Sequence, residues 1–143
     1  MESHVSESKI IRIAAAIITD SQGKLLLVRK RNTAYFMQPG GKIEPGEEPR
    51  LALVRELMEE LSLVVTPEEL TPIGEFSDTA ANEPGHTLVA LMYRVSKAFG
   101  AIKPAAEIEE VTWLSSSDIA STLLAPLTAN SIIPLVWPTT VQD

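Results

Sequence analysis

The sequence predicts an α/β domain built on a mixed β-sheet. Three observations carry that expectation. Short β-branched and apolar runs are bounded by turn residues in both halves of the chain. Between them, over Pro49–Leu61, apolar residues recur at three- and four-residue intervals, the period of a helix with one buried face. Several strand pairs are joined by loops too short for a parallel crossover, so the sheet is mixed rather than all parallel.

In chain order, residues 1–8 read as a frayed polar tail ahead of a single domain over 9–143. Residues 10–19 are β-branched and apolar, Asp20-Ser21-Gln22-Gly23 supplies turn chemistry, and 24–31 resume an extended run. These two strands are expected to form a hairpin. Residues 34–38 make a third extended piece, stopped by Pro39-Gly40-Gly41, and the loop over 42–48 contains Pro45-Gly46. The helix begins at Pro49, where the missing N–H costs nothing. It is expected to turn Leu51, Val54, Leu57, Met58 and Leu61 toward the core. Runs at 70–76, 87–95 and 110–114 read as strands, and 115–124 and 130–136 as short helices, the second closed by Pro138.

Composition narrows the function. A chain of 143 residues with 45% hydrophobic and 22% charged residues folds without staples and buries a sizeable core. The absence of cysteine excludes disulfides, zinc–thiolate centres and a cysteine nucleophile. With His4 and His86 as its only imidazoles, the chain builds no metal site of several histidines. Twelve Lys and Arg against 19 Asp and Glu leave a net charge of −7, with no basic run, which excludes a nucleic acid polymer as partner. A bound polyanion must be small and must arrive with counter-cations. The strongly apolar stretch from Ile13 to Ile18 is far short of the ~20 residues that span a membrane. The opening residues show no basic segment followed by an apolar core, so a cytoplasmic setting is expected.

The most informative feature is Arg55-Glu56-Leu57-Met58-Glu59-Glu60. At ~100° per residue, Glu56, Glu59 and Glu60 fall on one arc, almost opposite the expected apolar stripe. Carboxylates spaced i,i+3 and i,i+4 repel one another. Such a patch is either a solvated helix face or a site for a hard divalent cation, which takes oxygen ligands. The glycine-rich Pro39-Gly40-Gly41-Lys42 and Pro45-Gly46-Glu47 lead into it, and there backbone can approach a ligand closely.

Loop and helix together resemble the Nudix box, G-x5-E-x7-R-E-U-x-E-E-x-G-U with U a bulky aliphatic residue. Gly41, Glu47, Arg55, Glu56, Leu57, Glu59, Glu60 and Leu63 fall in register, and Ser62 stands where the pattern has glycine. That glycine closes the helix at positive φ, so serine should cost about 1 kcal/mol or shift the helix end. The resemblance implies an α/β/α sandwich around a mixed sheet, and hydrolysis of a nucleoside diphosphate linked to another group with Mg²⁺ or Mn²⁺. It implies that Glu56, Glu59 and Glu60 bind the metal with the Gly40 carbonyl. Arg55 would orient Glu56, and Glu47 would brace the loop–helix junction. The general base in such enzymes is a box glutamate or one from a distant loop, for which Glu107, Glu109 and Glu110 qualify, Glu107 first.

Gly40-Gly41-Lys42-Ile43-Glu44 and His86-Thr87-Leu88 look like the MutT type, which cleaves nucleoside triphosphates, including oxidised dGTP, to monophosphate and pyrophosphate. Lys42 is the expected substrate contact in the loop. Asn130, in Thr128-Ala129-Asn130-Ser131, either reads a purine edge through its amide or caps the last helix. Asp78 and Ala80 stand where ADP-ribose hydrolases often carry proline and dinucleoside polyphosphate hydrolases often carry tyrosine. Alternatives are another nucleoside diphosphate derivative as substrate, a non-catalytic nucleotide sensor, or an oligomerisation module. A homodimer stays open.

Overall fold

In the computed structural model, Ile10–Ile17 forms β1 and Leu25–Lys30 forms β2, and both are apolar on both faces through Ala14–Ile17 and Leu25–Val28. Strands of this kind need cover above and below. The structure describes residues 9–95 and 101–138, so the expected tail over 1–8 lies outside the described residues.

The remaining strands are β3 (Phe36–Met37), β4 (Gly40–Lys42), β5 (Leu70–Thr79), β6 (Thr87–Val95) and β7 (Ile108–Leu114). They form two sheets. In the first, ordered β4-β1-β6-β5, β1 runs parallel to β6 and antiparallel to β4, so the mixed sheet expected from the loop lengths is present. The second, β3-β2-β7, is antiparallel throughout.

Two local expectations need correction. β1 and β2 do not pair as a hairpin. The chain between them makes a single antiparallel bridge, Thr19 with Leu25, through two hydrogen bonds, Leu26 N–H to the Ile18 carbonyl at 2.9 Å and Asp20 N–H to the Lys24 carbonyl at 3.0 Å. Both edges of β1 are taken by β4 and β6, and both edges of β2 by β3 and β7, so no edge remains for a ladder. Nor does Pro39-Gly40-Gly41 simply stop the chain. Gly40 and Gly41 pair with Ala15 and Ala14, and a Cβ on Gly40, whose φ is +152°, would run into the Ala14 carbonyl. Glycine here lets one strand lie hard against another.

Helix α1 spans Pro49–Leu61, as the periodicity predicts, with Pro49 in its first turn. Its buried face is turned only partly from the predicted one: Leu57 and Leu61 are buried and Val54 packs against the core as expected. Ala52, Leu53, Leu57, Glu60 and Leu61 are buried, whereas Leu51 and Met58 are 51% and 46% exposed. Leu53, Leu57 and Leu61 lie at i, i+4 and i+8, a true helical stripe, and Glu60 lies on that side beside them. Packing against Ala14, Ala16, Leu26, Val28 and Tyr93 selected this face. A second core lies on the alternate residues of the same strands. There Ala15, Ile17, Leu25, Leu27, Ala90 and Met92 pack under Leu127 and Ile132 of the C-terminal segment. Helical layers on two sides of the strands give the sandwich.

The C-terminal segment is less regular than expected. Ser116–Ser121 is a 3₁₀ turn, Thr128–Ile132 a wide π-type turn, and Ile133–Val136 a single turn of helix, α2. No helix among the described residues is long and apolar enough to cross a membrane.

Helix α1 closes at Ser62 in the left-handed region, φ 60° and ψ 29°. Its N–H reaches the Leu57 and Met58 carbonyls, and Leu63 N–H bonds to the Leu57 carbonyl at 3.2 Å. Serine thus occupies the backbone position that favours glycine, as the departure from the box implies. Ser62→Gly should therefore raise stability by about 1 kcal/mol. Thermal unfolding checks this: a rise of roughly 3 °C is expected, and a fall would show that the serine hydroxyl contributes.

Candidate active site

The loop after β4 is held by one side chain. Glu47 folds back so that its carboxylate accepts from the Glu44 N–H at 2.9 Å, and Glu47 N–H donates to the Glu44 carbonyl at 2.9 Å. Arg55, nearly two turns into α1, grips the same carboxylate with two donors, Nη2 at 2.9 Å and Nε at 3.1 Å. Its remaining arms reach the Lys42 carbonyl at 3.3 Å and Glu56 at 2.8 Å. A planar fork suits this work better than an ammonium point charge. The pairing holds the Glu47 carboxyl below its ordinary range, chiefly through the Arg55 hydrogen bonds, and keeps Arg55 protonated.

Glu56 lies against Gly41 so closely that a Cβ on that glycine would run into its carboxylate. Partial burial raises the Glu56 carboxyl above its ordinary value, with Arg55 opposing the shift and Glu59 and Glu107 adding to it. Glu60 is the most unusual group. It is 2% exposed, and among the described residues its carboxylate has one hydrogen-bond partner, the Gly40 N–H, 3.2 Å from Oε1. Oε2 is buried with no partner. Burial drives the Glu60 carboxyl up to about 8, the Gly40 hydrogen bond working against this and Glu56 and Glu107 adding to it.

The three carboxylates therefore do not share one exposed face. Glu59 is exposed, Glu56 half-buried and Glu60 buried. This corrects the sequence expectation, and the cause is the rotation of α1 onto Leu53, Leu57 and Leu61. Among the described residues, no three His, Asp or Glu side chains close around a common point. Glu56 is drawn toward Arg55 and Glu60 toward Gly40.

Of the three acidic residues before Trp113, the structure separates one. Glu107 stands at a cavity that Glu60, Gly40 and Lys30 also line, with Lys30 Nζ 3.5 Å from its carboxylate. Glu109 and Glu110 are engaged instead by Arg31 at 3.2 Å and Arg29 at 3.0 Å. The cavity, about 310 Å³, runs from Gly40 and Glu60 past Lys42 to Ile13 and Leu88. That is small-ligand size.

Asn130 is not a helix cap. It lies inside the π-type turn, whose leading residue is Leu127, and its amide Nδ2 donates to Asp78 Oδ2 at 2.8 Å. Asp78 pairs with Leu88 across β5 and β6, and Leu88 pairs with Ile11 across β6 and β1, so the three stand in one row. Ile11 and Leu88 line the cavity, while Asn130 meets the row at its other end, at Asp78. His86 sits in the turn before β6 with Nδ1 at 3.2 Å from the Pro84 carbonyl, away from the carboxylates. Phe36, Phe76 and Trp137 are partly buried and pack against the second core. Sequence reading missed Gln38 and Thr128, a buried hydrogen-bonded pair at 2.9 Å whose glutamine lines the cavity. A lone glutamine before Pro39 carries no pattern that could have flagged it.

The site is thus a glycine loop clamped to a carboxylate helix, over a cavity cut into a mixed-sheet sandwich. The chain belongs to the Nudix family: the NUDIX domain matches residues 9–135. The 8-oxo-dGTP diphosphatase of Haemophilus influenzae is 41% identical over 68 residues, which is 45% of this chain and 50% of that protein. The CTP pyrophosphohydrolase of Escherichia coli is 32% identical over 123 residues, 82% of this chain and 85% of that one. The crystal structure of a MutT protein from Methanosarcina mazei superposes with a TM-score of 0.72 over 90% of this chain and 93% of its own. At 20% identity that likeness bears on the fold alone.

Proposed function

We propose that this chain is a divalent-metal-dependent pyrophosphohydrolase that cleaves a nucleoside triphosphate, oxidised dGTP among them, to monophosphate and pyrophosphate. The observation that carries the reading is Glu60: a buried carboxylate with one oxygen unpartnered, beside a second half-buried carboxylate, at the mouth of the cavity. Buried charge without a counter-charge is costly. The donor set is all oxygen, which suits Mg²⁺ or Mn²⁺. Glu56, Glu59, Glu60 and the Gly40 carbonyl are the residues that would hold it. When bound, the metal neutralises phosphate charge and lowers the pKa of coordinated water.

The chain's own residues do the rest. Arg55 fixes the Glu56 carboxylate and, through Glu47 and the Lys42 carbonyl, the loop that faces it. Glu107 stands where a carboxylate can take the proton of the attacking water, as the new P–O bond forms and the anhydride oxygen departs with pyrophosphate. Lys42 supplies a cation for the phosphate chain. Asn130, its amide oriented by Asp78, keeps one N–H and its carbonyl oxygen for a purine edge. A nucleotide substrate and a cysteine-free chain fit a cytoplasmic setting.

The relatives named above act on an oxidised purine nucleotide and on a pyrimidine nucleotide, so the base is the open term. Release of pyrophosphate from dGTP, 8-oxo-dGTP and CTP, against cleavage of ADP-ribose and a dinucleoside polyphosphate, tests the reading. A triphosphate should win by roughly tenfold or more in kcat/KM. Preference for ADP-ribose would move the chain to another substrate class. Asn130→Ala should narrow the ratio between oxidised and ordinary dGTP, mostly by hurting the better substrate. An unchanged ratio would retire its role at the base.

A further inference from the structure

Glu107 owes its place at the cavity to a strained turn over residues 105–108. The Ile108 N–H closes it by donating to the Ala105 carbonyl at 3.0 Å. Its second residue, Ala106, has φ 55°, in the left-handed region that a Cβ disfavours. Such strain persists only where the surroundings hold it, and it gathers at functional sites. Here it is held from two elements. The Ala105 N–H donates to the Glu60 carbonyl at 2.9 Å, which ties the turn to the end of α1. Arg31, just past β2, supplies the rest. Its N–H donates to the Glu107 carbonyl at 2.8 Å, its Nη1 to the Ala106 carbonyl at 3.4 Å and its Nε to the Glu109 carboxylate at 3.2 Å. Arg31 is itself anchored, since the Lys30 carbonyl accepts from the Thr33 N–H at 3.1 Å and from its hydroxyl at 2.8 Å.

The strand register serves the same end. Arg29 pairs with Glu110 and Lys30 with Ile108, so Glu109 is left out of the ladder as a bulge. Bulges beside active sites re-aim side chains. This one leaves Glu109 to Arg31 and Glu107 to the cavity, where Lys30 Nζ lies 3.5 Å from its carboxylate. Stability does not account for the clamp, because Arg31 and Glu109 are 57% and 48% exposed and surface ion pairs of that kind contribute little. We propose that Arg31 is a positioning residue which, acting through the turn over 105–108, sets where the Glu107 carboxylate stands at the cavity. This rests on the reading of Glu107 as proton acceptor and deepens it. Proton transfer needs hydrogen-bond reach, ~3 Å, and a misplacement of about 1 Å is costly. Arg31 also lines the cavity, so a direct grip on the phosphate chain is the competing role. Two of its three guanidinium nitrogens are already engaged by the turn and by Glu109.

The test is steady-state hydrolysis of dGTP by the whole chain at saturating Mg²⁺, in a cycle of variants, with Tm measured alongside. Arg31→Gln should lower kcat about tenfold and leave KM within about twofold. Its Tm should stay within about 2 °C of wild type, as for an exposed ion pair. Glu107→Gln should lower kcat at least about a hundredfold. Adding Arg31→Gln to it should cost less than about twofold more, because no carboxylate remains to be placed. Arg31→Lys keeps the charge without the fork and should recover part of the loss. Ala106→Gly should lower kcat about threefold without lowering Tm, since glycine takes the positive φ freely but loosens the turn. An Arg31→Gln kcat within about twofold of wild type overturns the proposal. So does a raised KM at unchanged kcat, or an equal loss in the Glu107→Gln background, either of which makes Arg31 a phosphate contact. If Arg31→Gln fails to fold, Glu109→Gln, which releases Nε, is read in the same cycle. Wild-type turnover by Glu107→Gln would instead remove the proton-acceptor reading, and the role of Arg31 with it. A wild type without turnover would remove both.

Discussion

Glu60→Gln should abolish turnover and yet stabilise the metal-free protein above neutral pH. The loss follows from removing a buried carboxylate proposed as a metal ligand at the cavity, and at least about a hundredfold in kcat is expected, on the order of 3 kcal/mol. The gain follows from linkage. The folded-state pKa of Glu60, about 8, lies above its ordinary value of 4.5. Below the lower value the group is protonated in both states and imposes no penalty. As pH rises through that window the unfolded chain releases the proton first, so stability falls, and the full penalty is present above the higher value. Each pKa unit is worth about 1.4 kcal/mol, so the loss amounts to a few kcal/mol. Glutamine has the same shape and no charge. In chelator, the variant's Tm should match wild type near pH 5 and exceed it by several degrees at pH 8.5. Equal Tm values across that range would mean that Glu60 is not buried as a lone carboxyl.

Metal removal should have the second largest effect. In excess chelator no appreciable hydrolysis is expected, and Mg²⁺ or Mn²⁺ should restore it, since the site offers oxygen ligands only. Binding of the metal should itself depend on pH. A cation engaging Glu60 must displace its proton below pH 8. Mg²⁺ affinity, measured by titration calorimetry, should therefore tighten by up to about tenfold per unit between pH 6 and pH 8. Glu60→Gln should flatten that slope. Full activity in chelator would sink the metal assignment, and a flat slope in wild type would remove Glu60 from it.

The sequence by itself determined the elements and the outline of the site. Pro49–Leu61 was legible to the residue, because Pro49 starts the helix and the apolar spacing runs to Leu61. Thr87–Val95 was equally clear as a β-branched apolar run. The box residues carry their own register, since one loop and one helix hold them all, and local geometry sufficed to bring Glu47, Arg55 and Glu56 together. Ser62 could be read as strained because it stands where the box it resembles has glycine, and its φ is positive.

Only the tertiary structure decided which faces and which pairs are used. Periodicity gives a helix an apolar arc but not its rotation, and Leu51 and Met58 lost the core to Ala52 and Leu53 because β1 and β2 offered the better packed surface. That rotation put Glu60 inside, and its chemistry is a consequence of burial that no spacing can show. Strand order was equally hidden: the turn at Asp20–Gly23 suits a hairpin, but competition for the edges of β1 and β2 lies between residues far apart in the chain. Glu107, which the sequence reading put first, stands at the cavity beside Lys30, while Arg31 and Arg29, about eighty residues earlier, engage Glu109 and Glu110. Gln38 and Thr128 stand ninety residues apart and meet only when the C-terminal turn closes over the strands. Local patterns are written by short-range sterics and solvent preference, which a sequence displays. Desolvation and long-range pairing depend on what the rest of the chain brings near, and the folded arrangement settles them.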